Sequence, residues 1–558
     1  MKLNKKDKII DFLMILICII VFSCSLFGDS LSLTSTDALY HINRLVGLKD
    51  AFMDHQILPK IYPYTNNGYG YASPLFYCDL FLYPFAIIYY LGLPLIVSFK
   101  LLYIFYTIIG CLLAYFCIKN VFNNKLTYRT IFILFVLGQY RFLDAYTRMA
   151  LGEYLALCFS PVILLAFYKV LIQKKDAYLL LALGFSSLVL THNLSFALYC
   201  LLYLLLIIIF VVVNRNLNDL KKLMLTTIKA ALIAILLCLW FLLPMLEGLT
   251  SHNLWVNHFS SLYSLDKYIV GLEALINPFM TLDIWTSNAY GYVLLLFPLL
   301  CFFKKECPRW IKIITIIGYF NVLLSFDIIP IHLLSMFNTI QFCFRFNMIA
   351  YPLLALSAGY IVSNYYIYLA YIAIVYTLVV SCVYDVELFN FSDKVSDSAA
   401  PEELFDINGI DKDYNEKQIS GAEYLPVTEK NNYLVDTTFI KEIKNGLYND
   451  VIYDYSRNFT KIEFEYDCDE EKLLMLPLTY YKGYSAYAIK DGVKTEIEVV
   501  DVDIYEKVGI YTLEGNYTYC VYYKGTTIQY LSLAISAISF VLIAIFVIKD
   551  KRLTKELK

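Results

Sequence analysis

Long runs of apolar residues recur along this chain and dominate its pattern. A helix needs about 20 apolar residues to cross the hydrocarbon core of a bilayer, and runs near that length recur. The pattern predicts transmembrane helices near residues 9–28, 76–92, 94–118, 128–142, 150–171, 176–192, 193–213, 225–247, 289–303, 308–326, 345–362, 364–385 and 527–548. We therefore expect an α-helical polytopic membrane protein with about 12–13 spans.

Positive residues between the runs predict the side of the membrane on which each loop lies. Lysine and arginine concentrate at the cytoplasmic ends of spans. Such clusters occur at 174–175, 215–222, 304–309 and 549–558. They place outside the segments 29–75, 143–149, 248–288, 327–344 and 386–526. The first run follows four lysines and lacks a convincing cleavage site, so we expect a retained helix.

One group of charges conflicts with this topology. Lys119, Lys125 and Arg129 also look cytoplasmic, which requires an odd number of crossings between residues 30 and 118. Two apolar runs occur there. Either one of those runs or the 128–142 run dips without crossing, or the charge rule fails here.

The pattern changes between residues 386 and 526, where polar residues and tyrosine prevail. Residues 461–468 alternate strictly between polar and apolar, which is the period of a half-buried strand. Similar runs occur at 472–480, 496–505, 508–513 and 517–523, with Asp491-Gly492 as a turn signal. The chain therefore divides into a transmembrane domain 1–385 with an outer loop 29–75, an extracytoplasmic β-rich domain 386–526, and a last helix with a basic cytoplasmic tail 527–558.

Composition supports this class. Of 558 residues 59% are hydrophobic and 17% are charged, which is too apolar for one soluble core. The net charge of −3 gives no reason to expect a nucleic-acid partner. Most of the 14 cysteines stand singly in apolar runs as small hydrophobic residues. Cys468 and Cys520 share the outer domain, and a disulfide between them is left open.

The loop after the first run carries the first candidate residues. Asp37, His41 and Arg44 fall at i, i+4 and i+7 and share one face of a predicted helix. A carboxylate on that face suits a general base. Two structural alternatives stand beside it: Thr34 and Asp37 form a capping box, and His41 with Arg44 form a solvated face.

A second group of charges lies within or beside apolar runs, where an unpaired charge is costly. Arg148 and Glu153 are five positions apart, which is not ideal helix pairing, so they are expected to contact other elements. An arginine near the outer face suits a lipid phosphate, and an internal ion pair that locks helices is the alternative.

Further polar residues stand at outer helix junctions. His192 is one of them, and a hydrogen-bonded link between helices is the alternative to catalysis. Gln341 and Arg345 open another span, and Glu247 closes one. By the predicted topology all of these lie near the face that carries Asp37. This convergence predicts a single site there.

These motifs together resemble a known family. The Asp37 to Arg44 loop, the Gly-Tyr-Gly-Tyr-x-x-Pro segment at 68–74 and the Tyr-x-Arg-x-Ala-x-Gly-Glu segment at 146–153 are similar to those of large bacterial YfhO-type membrane proteins. They are also similar to the 6-pyruvoyl-tetrahydropterin synthase-related membrane proteins. The motifs at 191–193, 341–345 and 424–426, with the terminal β domain and last helix, extend the resemblance over the chain. The chain departs in being shorter and in carrying Phe344 where a tryptophan is usual.

The resemblance implies a GT-C-like membrane glycosyltransferase of the plasma membrane. It would transfer a sugar from a polyprenyl phosphate to a cell-envelope glycan or lipid outside the cell. Asp37 would be the catalytic base, and Arg148 and Arg345 would bind the donor phosphate. His41, Arg44, Glu153, His192 and Gln341 would support the site. No cofactor is predicted, and a divalent metal ion, which some relatives use, is left open.

Two other functions stay open at this stage. One is a lipid or polysaccharide transporter, whose intramembrane charges would line a path between the two faces. The other is a non-catalytic scaffold whose β domain holds an envelope partner. Convergence of Asp37, Arg148 and Arg345 on one cavity would favour the enzyme, and their dispersal would exclude it.

Overall fold

The computed structural model describes most of the chain. The described residues are 4–66, 68–214, 216–258, 270–275, 277, 279–283, 287, 289–326, 328–329, 333, 339–391, 394–400, 423–427, 440–444, 447–452, 454–502, 506–550 and 556.

Helices make up most of the described chain. In order they are α1 (Lys5–Ser23), α2 (Thr36–Met53), α3 (Ser73–Phe76), α4 (Tyr83–Tyr90), α5 (Leu95–Val121), α6 (Lys125–Val136), α7 (Gln139–Phe142), α8 (Leu151–Phe167), α9 (Tyr178–Val189), α10 (Asn193–Val213), α11 (Leu217–Ser251), α12 (Gly291–Leu296), α13 (Arg309–Ser325), α14 (Asn347–Tyr365), α15 (Ile367–Asn390) and α16 (Thr527–Asp550). Turns of π-helix follow α7 at Leu143–Thr147 and α8 at Tyr168–Ile172, and a 3₁₀ segment extends α12 over Phe297–Phe303.

Eight helices of the described chain are long and apolar enough to cross a membrane. They are Lys5–Leu26, Leu95–Val121, Leu151–Ile172, Asn193–Val213, Leu217–Ser251, Cys343–Tyr365, Ile367–Asn390 and Thr527–Lys549. The other predicted spans fall on shorter pieces. The 76–92 run contains the eight-residue α4, the 128–142 run is divided between α6 and α7, and the 176–192 run contains the 12-residue α9. The 289–303 run is α12 with its 3₁₀ extension, and the 308–326 run is the 17-residue α13.

The two ends of the helical bundle differ in charge and partners. At one end Asp7 and Asp11 of α1 pair with Lys125 of α6 and with Arg129, at 2.5 and 2.7 Å. We call this the basic end. At the other end Lys100 of α5 donates to the Gly28 carbonyl at 3.0 Å and pairs with Asp397. We call this the β-domain end, because the β domain joins the bundle there.

This arrangement explains the conflict over Lys119, Lys125 and Arg129. Helix α5 runs from the β-domain end to the basic end, so these three charges share an end with the start of α1. Helix α4 is about 12 Å long by its eight residues and does not traverse the bundle. Between residues 30 and 118, α5 is therefore the one helix of the described residues long enough to cross a membrane, which gives the odd number of crossings that these charges require.

The described residues of the β domain form two five-stranded antiparallel sheets. A separate pair, β1 (Ser30–Ser32) and β2 (Lys394–Ser396), joins the loop after α1 to the segment after α15. The domain's strands are β3 (Ile440–Lys444), β4 (Leu447–Ile452), β5 (Ser456–Asn458), β6 (Lys461–Cys468), β7 (Leu473–Thr479), β8 (Tyr484–Lys490), β9 (Val493–Ile497), β10 (Val499–Val502), β11 (Lys507–Tyr511) and β12 (Gly515–Tyr523). The sheet orders are β10-β11-β7-β3-β4 and β5-β6-β12-β8-β9.

Local sequence signals account for much of this domain. Strand β6 coincides with the predicted alternating segment, and its Ile462 and Phe464 are buried. Asp491 and Gly492 turn β8 into β9 with φ of 52° and 78°, which is the type I′ geometry that twisted hairpins favour. Strands β7 and β11 supply Leu474, Leu476 and Ile510 to the core between the sheets.

Cys468 and Cys520 do not form a disulfide. Both are free and buried, and they occupy distant rows of one ladder. Cys468 is opposite Gly515, and Cys520 is opposite Glu463. Five residues of extended strand separate Cys468 and Glu463, about 17 Å at the usual rise per residue, which exceeds the span of a disulfide.

Candidate functional site

A cavity of about 540 Å³ lies at the β-domain end of the helical bundle. Apart from Arg44, every predicted site residue lines it: Asp37, His41, Arg148, Glu153, His192, Gln341 and Arg345. These side chains come from α2, the start of α8, the α9–α10 junction and the segment before α14. Because they come from elements far apart in sequence, only the packing of the bundle brings them together.

Asp37 stands in the first turn of α2 and faces this cavity. The N-cap is Ser35, whose hydroxyl oxygen accepts from the Asp37 N–H at 3.2 Å. Thr34 is therefore not the cap of a capping box. Its hydroxyl donates to the Tyr146 carbonyl and holds the loop before α2 against the turn that precedes Arg148. Asp37 thus lies near Arg148 although 111 residues separate them in sequence.

The Asp37 carboxylate accepts no hydrogen bond from any residue that the structure describes. Burial raises the pKa of Asp37, and the charges of Arg148 and Arg345 partly counter that effect. A half-buried carboxylate with a raised pKa and an uncommitted pair of oxygens is better suited to accept a proton than an exposed aspartate.

Glu153 lies between the two arginines of the site. Arg148 donates to both of its oxygens, from Nη1 at 2.7 Å and from Nη2 at 2.9 Å. Arg345 donates from Nε at 2.9 Å, and the Tyr140 hydroxyl donates at 3.2 Å. All four side chains are buried. Arg148 therefore forms an internal ion pair, which was the structural alternative to binding a lipid phosphate. This pair joins the turn before α8 to α8 itself.

Both terminal nitrogens of the Arg148 guanidinium donate to carboxylates. Nη1 also donates to Asp144 at 2.6 Å, and the Phe344 ring lies 4.4 Å from the guanidinium carbon. Phe344 thus presents an aromatic face to Arg148.

Arg345 differs from Arg148 in its remaining donors. Its Nη1 donates to the Ile340 carbonyl at 2.8 Å and to Gln341 Oε1. Its Nη2 donates no hydrogen bond within the part of the chain that the structure describes. Gln341 holds this geometry with a left-handed backbone at φ 67°. Arg345 therefore retains donors for an anionic group at the cavity wall.

The backbone beside Arg148 is also unusual. The π-helical turn Leu143–Thr147 precedes it, and Met149 after it has φ 52°. Non-glycine residues with positive φ cost energy and persist where packing imposes them, often at functional sites. This irregular turn ends α7 and starts α8, and it directs Arg148 and Glu153 toward each other.

Arg44 lies behind the cavity wall and positions His41. Its Nε and Nη2 donate to Asp79 Oδ1 at 2.9 and 2.6 Å, and its Nη1 contacts His41 Nδ1 at 3.1 Å. Arginine can only donate, so His41 Nδ1 accepts and the ring proton is on Nε2. Burial and the Arg44 charge hold the pKa of His41 well below its usual range. His41 is therefore a neutral hydrogen-bond donor toward the cavity.

His192 is the N-cap of α10. Its Nδ1 accepts from the Ser195 N–H at 3.2 Å and lies 2.8 Å from the Ser195 hydroxyl. Burial lowers its pKa to about 3, so this imidazole is neutral as well. These Nδ1 contacts are a local cap within α10 and not a link between two helices, and His192 also lines the cavity.

Tyr77 is a lining residue that the sequence did not single out. Its ring contacts His41 in a tilted arrangement and His192 edge to face, at centroid distances of 6.0 and 6.1 Å, and lies 4.3 Å from the Arg44 guanidinium carbon. Gly152 leaves room for it, because a Cβ there would lie 1.7 Å from the Tyr77 hydroxyl. One tyrosine among 51 gives no distinguishing signal in the sequence.

A short segment between α15 and the β domain covers part of the cavity. Glu423 and Tyr424 line it. The Tyr424 ring stacks on Phe76 at 5.0 Å, and its carbonyl accepts from the Tyr481 hydroxyl of the β domain at 3.0 Å. The Val256 N–H donates to the Glu423 carbonyl at 2.8 Å. The cover is therefore attached to both the bundle and the β domain.

Among the described residues, no group of three or more His, Cys, Asp and Glu is arranged to hold a metal ion. Of the carboxylates that line the cavity, Glu153 binds two arginines and Asp37 accepts no hydrogen bond from a described residue.

Comparison with known proteins shows little about identity. No family model matches this chain. A protein of Lactococcus lactis subsp. cremoris (strain MG1363), described as an uncharacterized protein, is 25% identical over 254 residues. The match covers 44% of this chain and 41% of that protein, so the chain spans about two fifths of the relative's length. The family predicted from the motifs stays a prediction.

Proposed function

We propose that this protein is a membrane glycosyltransferase of the GT-C type, which transfers a sugar from a polyprenyl phosphate to an envelope acceptor. The proposal rests on one observation: a carboxylate that suits a general base and an arginine that suits a phosphate line the same cavity. Asp37 offers a carboxylate without a hydrogen-bond donor among the described residues, and Arg345 offers guanidinium donors at the wall of the same cavity.

The proposed step needs one base and one anion site. The acceptor hydroxyl oxygen attacks the anomeric carbon of the sugar, and its proton passes to the Asp37 carboxylate. The bond between the anomeric carbon and the phosphate oxygen breaks, and its electron pair leaves with the lipid phosphate. Arg345 stabilises that phosphate through Nη2. A lipid phosphate is a good leaving group, so no nucleotide is needed.

The two histidines and Tyr77 would bind the sugar ring of the donor. His41 and His192 are neutral and present ring edges to the cavity, and Tyr77 lies between them. Neutral donors with an aromatic face suit hydroxyl-rich rings, whereas a charged imidazole would attract the Asp37 carboxylate and make it a weaker base.

The cavity also offers an apolar wall for the lipid part of the donor. Leu194 of α10 and Met245 and Leu249 of α11 also line the cavity. Helices α10 and α11 expose long apolar faces, with Leu201, Leu204 and Leu232 more than half exposed. A prenyl chain could follow these faces while its phosphate reaches Arg345.

The protein is placed by this proposal in the plasma membrane, with the cavity and the β domain outside the cell. Basic residues at the opposite end of the bundle support that orientation. The cover formed by Glu423 and Tyr424 would then contact the acceptor, and the β domain would help to select it.

The deciding experiment is transfer by the purified protein in lipid nanodiscs. Envelope polymers from strains with and without the protein are first compared by composition and mass to identify the missing sugar. The corresponding polyprenyl-phosphate sugar is then supplied, and product is measured for wild type and for Asp37→Asn. Product from wild type alone supports the enzyme. Equal envelopes in both strains exclude it and favour a scaffold, whereas loss of export without loss of transfer favours the transporter.

A further inference from the structure

A second large cavity lies at the basic end of the bundle, away from the Asp37 site. Its volume is about 530 Å³, and it lies between α5, α8, α10, α13 and α14. Leu164 of α8, Ile209 and Phe210 of α10 and Leu353 of α14 are typical of its lining. Nearly all of the lining side chains are aliphatic or aromatic.

The wall of this cavity contains two helix irregularities. Pro161 lies inside α8, where it removes a backbone donor and bends the helix. The π-helical turn Tyr168–Ile172 follows at the end of the same helix. Such π turns are frequent at functional sites, and here both irregularities lie in the same wall.

The polar lining residues are confined to one end of the cavity. They are Lys174, Asn214 and Arg309, which stand where α8, α10 and α13 meet the basic end. Arg309 is exposed and forms no ion pair with any residue that the structure describes. Lys174 is also exposed and pairs with Asp219 at 2.5 Å.

The start of α13 adds to this positive rim. Arg309 is the first residue of that 17-residue helix, and the N-cap Pro308 provides no side-chain acceptor for the first amides. The Ile311 and Lys312 amides donate to the Pro308 carbonyl at 3.0 and 3.3 Å, so the helix dipole and the amides of Arg309 and Trp310 are what favour an anion at this position. The rim thus combines two basic side chains with a helix start.

We propose that this cavity binds an anionic phospholipid, with one acyl chain among the apolar side chains and the headgroup phosphate at Arg309 and Lys174. An apolar space of this size is within the range of ligand sites, and a polar ligand would find no partner inside it. An empty apolar cavity does not retain water, so a hydrocarbon chain is the fitting occupant. The proposal does not depend on the transfer reaction.

The test is lipid binding by the full-length protein in detergent, measured by native mass spectrometry. Phosphatidylglycerol and phosphatidylcholine of equal chain length are the probes. We expect one phosphatidylglycerol to bind about tenfold more tightly than phosphatidylcholine, because two basic groups contact its phosphate region. Equal binding of both lipids overturns the headgroup assignment.

Paired variants separate the cavity from the general lipid surface. Leu206→Trp fills the cavity wall on α10, whereas Leu204→Trp places the same bulk on an exposed position of that helix. The first should lose the bound lipid and the second should keep it. Loss in neither variant, or in both, overturns the proposal.

A charge pair and a second measurement complete the test. Arg309→Ala with Lys174→Ala should abolish the preference for phosphatidylglycerol, whereas Lys305→Ala, exposed at the same end but outside the cavity lining, should not.

If Leu206→Trp fails to fold, Trp310 serves as an internal reporter, because it lines the cavity. With the other tryptophans replaced by phenylalanine, brominated phosphatidylglycerol should quench Trp310 at lower concentration than brominated phosphatidylcholine. No difference contradicts the proposal.

Discussion

Glu153 and Arg345 are 192 positions apart in the sequence and form a buried ion pair of 2.9 Å between Oε1 and Nε. Arg148 binds the same carboxylate through two nitrogens. This shared carboxylate joins the start of α8 to the segment before α14. It therefore sets the distance between the irregular turn that carries Arg148 and the wall that carries Gln341.

Removal of the shared carboxylate should destabilise the protein. Glu153→Ala leaves Arg148 and Arg345 buried without their common partner, and such a loss costs about 3–5 kcal/mol. The free energy of unfolding in detergent, measured by chemical or thermal denaturation, should fall by that amount. The control is Glu463→Gln on β6, whose partner Lys461 is 42% exposed, and which should change stability by less than about 1 kcal/mol. Equal effects at the two sites would contradict the assignment.

Asp37→Asn should abolish sugar transfer and leave the fold intact. The amide keeps the shape of the side chain but accepts no proton, and loss of a general base typically lowers the rate by about 100- to 10,000-fold. Product formation in nanodiscs measures the loss, and elution from a sizing column monitors folding. Asp54→Asn at the end of the same helix is the matched control and should retain activity. Retained transfer by Asp37→Asn would remove Asp37 from the mechanism.

The stability of the protein should depend on pH through Asp37. Burial raises the pKa of Asp37 in the folded protein, with Arg148 and Arg345 countering it in part. Because the folded pKa exceeds the unfolded one, the stabilisation is fully present below the unfolded pKa and is lost as pH rises through the folded pKa. Asparagine stays neutral, so Asp37→Asn should be more stable than wild type at neutral pH. The gain should shrink as pH approaches about 4.

The measurement is the melting temperature of both proteins in detergent between about pH 4 and pH 8. An Asp37→Asn protein that melts below wild type at neutral pH would show that the carboxylate stabilises α2, as a helix-start role predicts. That result would favour a structural rather than a catalytic Asp37.

Gly152→Ala should damage the site by displacing Tyr77. The added Cβ would lie 1.7 Å from the Tyr77 hydroxyl and 3.1 Å from Cδ2 of His192, so the tyrosine must move. We expect a loss of transfer of about tenfold or more, since small misplacement of binding groups is costly. Gly28→Ala, with no atom closer than 4.0 Å to its Cβ, is the matched control. Tyr77→Phe in the Gly152→Ala background should restore part of the activity.

The β domain should be accessible from outside intact cells. Its strands from β5 to β12 follow α15 and precede α16, whose other ends lie with the basic end of the bundle. Protease treatment of intact cells should cleave within residues 454–523 while the basic end stays protected. Protection of the β domain until the membrane is opened would invert the orientation and place the Asp37 cavity inside.

The helical class and the β domain follow from the sequence because both depend on local periodicity. Apolar runs of 20 or more residues became α1, α5, α10, α11 and α16, and strict alternation became β6. Local rules also identified Asp37, Arg148 and Arg345 as unusual charges. The local rules did not distinguish a capping box, an ion pair and a ligand contact as the role of each charge, because all three have the same local pattern.

Only the tertiary structure assigned the partners of these residues within the chain. It made Ser35 the cap of α2, placed Arg44 on Asp79 rather than in the cavity, and selected Tyr77 from many tyrosines by the space at Gly152. It also reduced the 76–92 run to a helix of eight residues. Periodicity reports which face of an element is apolar, but the partner of a buried charge depends on which distant element packs against that face.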